Sequence, residues 1–123
     1  MGKASRKSSL VIVRHTPYGS TLARTSLDAA LAMAAFDQEV KVLFLGEGVL
    51  NLLPHQDSQA VGVKNVGKLL ASLPLYEIES VYVEAESATR YGLDPEAAPL
   101  PCLVVDSAEV RKLMSESDHL LGF

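Results

Sequence analysis

The sequence predicts an α/β domain in three layers, with helices on both faces of a five-stranded, mainly parallel sheet. Short apolar runs rich in Val and Leu recur without the polar alternation of a half-exposed strand, as expected of strands buried on both faces. Segments with apolar residues at helical spacing lie between them. The apolar fraction is mostly Leu, Val and Ala, with no Trp. Strands alternating with helices imply right-handed crossovers and parallel pairing, although strand order does not follow from that.

MGKASRKS opens the chain with its one basic cluster, Lys3, Arg6 and Lys7. Residues 1–8 are expected to be a disordered tail or an expression remnant, and residues 9–123 a single domain. SLVIVR (Ser9–Arg14) reads as the first strand. Ser20 or Thr21 offers a capping hydroxyl to a helix with Leu27, Ala30, Leu31 and Ala34 on its inner stripe. Arg24 and Asp28, four apart, can pair on the outer face for a few tenths of a kcal/mol. EVKVLFLG (Glu39–Gly46) is the second strand, and EGVLNLLP (Glu47–Pro54) a helical turn or two. Asp57–Pro74 holds a helix centred on Val66–Leu70. SVYVE (Ser80–Glu84) is the third strand, followed by a short helix near Ser87–Tyr91. LVVD (Leu103–Asp106) is the fourth, followed by a helix over Ser107–Ser115 capped by Ser107. HLLGF (His119–Phe123) is a short fifth strand.

Composition narrows the function. The 123-residue chain is 48% hydrophobic and 21% charged, with a net charge of −4. It therefore lacks the basic surface that drives nucleic-acid binding, and no direct nucleic-acid partner is expected. No apolar run approaches the ~20 residues that span a bilayer, so no membrane role is expected either. The single cysteine, Cys102, excludes an internal disulfide and fits a reducing, cytoplasmic compartment.

Candidate chemistry gathers at the carboxyl ends of the strands, where parallel sheets bind ligands. The first strand runs into RHTPYGS, which places His15, Tyr18 and Ser20 at that edge. Neither GxGxxG nor GxxxxGK[ST] is present, so the stretch reads either as a small-anion rim or as a structural turn. Glu84 and Glu86 flank the end of strand three. A pair at i, i+2 along a strand points to the same face, so the two carboxylates either share a proton for acid/base work or form a solvated rim. A stand-alone enzyme or small-ligand binder would use this rim of His15, Tyr18, Glu84 and Glu86.

Cys102 precedes strand four, at the opposite edge, and no neighbour in sequence lowers its pKa, so it reads as structural. His15, His55 and His119 have no metal spacing, and no metal or cofactor is expected. Val49, Leu50, Leu52 and Leu53 crowd an element with one inner face. That surplus marks Val49, Leu50 and Leu53 as interface candidates, with Tyr18 beside them.

Several stretches together resemble a known family. Pro17, Tyr18, Gly19, Arg24, Leu27, Asp28, Ala29 and Leu31 form P-Y-G-x-x-x-x-R-x-x-L-D-A-x-L. Gly48, Val49, Leu52, Leu53, Pro54 and Gln56 form G-V-x-x-L-L-P-x-Q. With L-Y-x-I-E (Leu75–Glu79), R-x-G-L-D (Arg90–Asp94) and Phe123, the pattern is similar to the TusC/DsrF branch of the DsrE/DsrF/DsrH-like proteins. The resemblance spans nearly everything after the tail. It implies a five-stranded α/β/α fold and a subunit of a sulfur-relay heterohexamer with TusB-like and TusD-like partners. Such a complex passes persulfide sulfur to a TusE-like acceptor for 2-thiouridine formation at the tRNA wobble position, and in sulfur oxidisers DsrE, DsrF and DsrH form a similar complex; the sequence leaves open which of the two pathways is served. The relay cysteine that the resemblance assigns to the sister subunit, at the end of strand three, is matched here by Glu84. That implies a scaffold rather than a sulfur carrier, with no catalytic residue of its own.

Overall fold

A computed structural model describes residues 8–15, 22–36, 38–52, 70–98 and 100–122. Five strands are described: β1 (Ser8–Val13), β2 (Glu39–Phe44), β3 (Ser80–Glu84), β4 (Leu103–Val105) and β5 (His119–Gly122). They form one sheet in the order β4-β3-β2-β1-β5, and every pairing is parallel. The strand carboxyl ends therefore share one edge.

Helix α1 (Leu22–Ala35) follows β1, α2 (Ala85–Arg90) follows β3 and α3 (Ser107–Glu116) joins β4 to β5. Short 3-10 segments cover Gly46–Leu52, Leu73–Tyr76 and Pro95–Ala97. Most strand bounds fall within two residues of expectation. The helical turn or two expected after β2 is a 3-10 helix of seven residues, Gly46–Leu52. Of the helix expected over Asp57–Pro74, only residues 70–72 are described as α-helical, and Leu73–Tyr76 is already 3-10. Residues 66–69 of its centre lie outside the described residues, as do the expected caps Ser20 and Thr21 and residues 1–7 of the expected tail.

Side-chain alternation divides the core. Val11, Val13, Val42, Phe44, Val81 and Val83 turn to one face, packed with Leu27 and Ala30 of α1 and with Leu52, Leu70 and Leu73. Leu10, Ile12 and Leu43 turn to the other, where Val110 and Leu113 of α3 meet them with Val105. Burying a Leu such as Leu27 contributes about 2 kcal/mol. On α1, Leu31 and Ala34 are half-buried, and Arg24 meets Asp28 at 3.8 Å with both side chains about half exposed.

Hydrogen bonding corrects the cap of α3. Asp106, not Ser107, holds that position: its carboxylate accepts from the Glu109 N–H at 2.8 Å, and the Glu109 side chain accepts from the Asp106 N–H at 3.3 Å. A carboxylate ahead of the first turn also complements the helix dipole, which a hydroxyl does less well. At the amino edge, the Ser8 N–H donates to the Asp118 carboxylate at 2.8 Å, and the Asp118 N–H to the Ser8 carbonyl at 2.9 Å, joining the starts of β1 and β5.

Candidate functional site

The carboxyl edge is built around the segment that follows β2. Gly46 turns the chain with a positive φ of 58°, which L side chains rarely adopt. The 3-10 segment then passes so close to the end of β1 that a Cβ on Gly48 would meet the Val13 carbonyl. Asn51, buried, fastens the approach: its side-chain amide donates to the His15 and Gly48 carbonyls, each at 2.8 Å. His15 is thereby held through its backbone, half-buried at the rim.

Glu84 closes β3 and, still extended, is the N-cap position of α2. Its carboxylate accepts a hydrogen bond from the hydroxyl of Ser87. Ser87 is buried, and its oxygen also accepts the Gly46 N–H at 2.8 Å. One hydroxyl thus ties the end of β3, the first turn of α2 and the exit of β2 together. Sequence patterns single out neither Ser87 nor Asn51. A small polar residue three positions after a strand-end acid is the available signal for Ser87.

Glu86 does not join Glu84. Helix α2 begins at Ala85, so the strand periodicity that would put both carboxylates on one face stops one residue too early. Glu86 lies exposed and pairs with Arg90 at 3.3 Å, the ordinary i, i+4 contact of a helix surface. The proton-sharing pair is therefore absent from the described structure. Tyr18, Ser20 and Leu53 lie outside the described residues.

The interface candidates also separate. Val49 is fully buried, and with Leu52 it packs into the chain's own core. The close approach permitted by Gly48 draws the segment down onto the sheet, so Val49 finds its apolar partners within the chain and presents no surface to another subunit. Leu50 is half-buried.

Cys102 lies directly before β4, at the amino edge, half-buried against the core cluster. Its thiol is 3.8 Å from the Pro95 carbonyl, and burial pushes its pKa up. A half-buried thiol whose pKa is raised is a poor nucleophile. Beside it opens a shallow depression of about 460 Å³ lined by Pro95, Glu96, Leu100 and Pro101. Among the described residues, no three His, Cys, Asp or Glu side chains are grouped to hold a metal ion. No helix among them is long and apolar enough to cross a membrane.

The sequence model of the DsrE/DsrF-like family matches residues 7–123. The intracellular sulfur oxidation protein DsrF of Allochromatium vinosum is 34% identical, over 95% of this chain and 96% of its own. TusC of Klebsiella pneumoniae is 38% identical, over 91% of this chain and 95% of its own. A TusC homologue of Pseudomonas aeruginosa is 35% identical, over 94% and 97% respectively. Among solved structures, the YchN protein of E. coli matches with a TM-score of 0.81, covering 96% of this chain and 99% of its own. At 18% identity that likeness speaks for the fold alone.

Proposed function

Because the chain belongs to the DsrE/DsrF-like family and is a TusC/DsrF-like sulfur-relay protein, we propose that it is the non-carrying scaffold subunit of a TusBCD-like complex. Its partners in this reading are TusB-like and TusD-like chains, in a heterohexamer that hands sulfur to a TusE-like acceptor. The sulfur is destined for 2-thiouridine at the tRNA wobble position. With a net charge of −4, the chain leaves the gripping of tRNA to other components.

The observation that carries this reading is Glu84 at the carboxyl end of β3, held by Ser87. A carboxylate cannot form a persulfide, and here the strand end is organised around one. Cys102 does not substitute for the missing thiol. Glu84 pairs in register with Val105, three residues beyond Cys102, so the thiol sits about 10 Å back along the strand direction at ~3.3 Å per residue. Persulfide exchange needs one sulfur to attack another directly, and a thiol at that distance cannot serve the carboxyl edge.

Sizing the chain alone and after co-expression with TusB-like and TusD-like chains tests the proposal. Co-elution as one complex with equal copies of each is expected. A chain that stays a lone monomer beside assembled sister subunits, and binds a small ligand at the His15–Glu84 rim, would contradict it.

A further inference from the structure

The sheet's two faces are unequally covered. In-register partners share a face, so Ile12, Leu43, Tyr82 and Leu103 form one row across four strands on the side that carries α3. Helix α3 seals the middle of this face by packing Val110 and Leu113 on Leu10, Ile12 and Leu43. Toward the β4 edge the row emerges: Tyr82 is half-buried and Leu103 is 63% exposed. Here an open cavity of about 250 Å³ lies between the strands and the helix, with Lys41, Tyr82 and Val105 on its floor and Glu109, Lys112 and Glu116 on its wall. An all-parallel sheet is ordinarily covered on both faces. Among the described residues, the part of this face left open is the Tyr82–Leu103 end of β3 and β4, beside the buried Val105; two strands at ~4.8 Å span about 10 Å, the breadth of one α-helix.

We propose that this groove receives one amphipathic helix from a different chain. That helix would set an apolar residue on Tyr82 and Leu103 and turn a basic–acidic–basic stripe toward Glu109, Lys112 and Glu116. The wall residues recur at helical spacing, so a neighbouring helix with the opposite charge order meets each charge with its complement. A second copy of this chain does not fit. Two α3 helices related by a two-fold axis would set Glu109 against Glu116 and Lys112 against its own equivalent, like charge on like. The inference rests on the subunit reading above and names the surface that such a subunit would use.

The test is hydrogen–deuterium exchange of the chain alone and in the complex with co-expressed TusB-like and TusD-like chains, with two variants. Exchange of residues 103–116 should slow at least tenfold in the complex. Leu103→Glu, and separately the double change Lys112→Glu with Glu116→Lys, should weaken assembly at least tenfold while the lone variants keep the wild-type far-UV circular dichroism. A complex in which residues 103–116 exchange as in the lone chain overturns this proposal and leaves the subunit reading standing. Failure of the wild-type chain to form any complex overturns both. A dimer of the lone chain that protects the same residues overturns it by giving the groove to a second copy.

Discussion

Gly48 packs so tightly on Val13 that a Cβ built on it would overlap the Val13 carbonyl oxygen. Backbone meets backbone there, and no flexible side chain can move aside. Gly48→Ala must therefore push the 3-10 segment off the end of β1 and loosen Val49, Leu52 and the Asn51 bonds that depend on the approach. A loss of about 3 kcal/mol is expected, at the upper end for overpacking. Urea unfolding of the lone chain would show it as a lower midpoint, and an unchanged midpoint would refute the close contact.

Ser87→Ala removes a hydroxyl that serves two elements at once. The Gly46 N–H and the Glu84 carboxylate each lose a partner in a partly buried setting. The cost should be about 1–3 kcal/mol. Glu84→Gln should cost less, since an amide oxygen can still accept from Ser87. If Ser87→Ala and wild type unfold at the same midpoint, the hydroxyl does not bind the two strand ends together.

Much of the architecture is legible in the sequence because its signals are local. Val and Leu runs such as SLVIVR and EVKVLF mark buried strands without knowledge of what they pack against. The α3 cap is legible too: Asp106 and Glu109 form the D-x-x-E of a capping box, and Ser107 draws attention only because it stands next to the stronger cap. What escapes depends on contacts distant in sequence. Val49 reads as surplus because nothing near it reveals that Gly48 lets its segment sink onto Val13, on a different strand. Glu86 reads as a partner of Glu84 because nothing in VYVEAES marks where the strand stops. The helix that starts at Ala85 decides the matter.

Burial holds the Cys102 thiol in its neutral form and raises its pKa in the folded chain. The protonated thiol is therefore favoured by folding. Its contribution to stability is fully present below the unfolded thiol's pKa of ~8.5 and is lost as pH rises through the higher folded value. Alkylation of the folded chain by iodoacetamide should thus lag behind that of the urea-unfolded chain between about pH 7 and 9, and the two should converge at higher pH. Equal rates across that range would show that the thiol is not shielded.

The most direct measurement is tRNA thiolation in cells that lack the native TusC-like subunit and carry Cys102→Ser in its place. The substitution removes the chain's single sulfhydryl, at the amino edge and about 10 Å along the strand direction from Glu84. A hydroxyl in this half-buried site should cost on the order of 1 kcal/mol, too little to unfold the domain. If the chain is a scaffold that carries no sulfur, wobble 2-thiouridine returns to the level restored by the wild-type chain. If thiolation is lost while the Cys102→Ser chain still assembles with its partners, sulfur passes through Cys102 and the scaffold account is wrong.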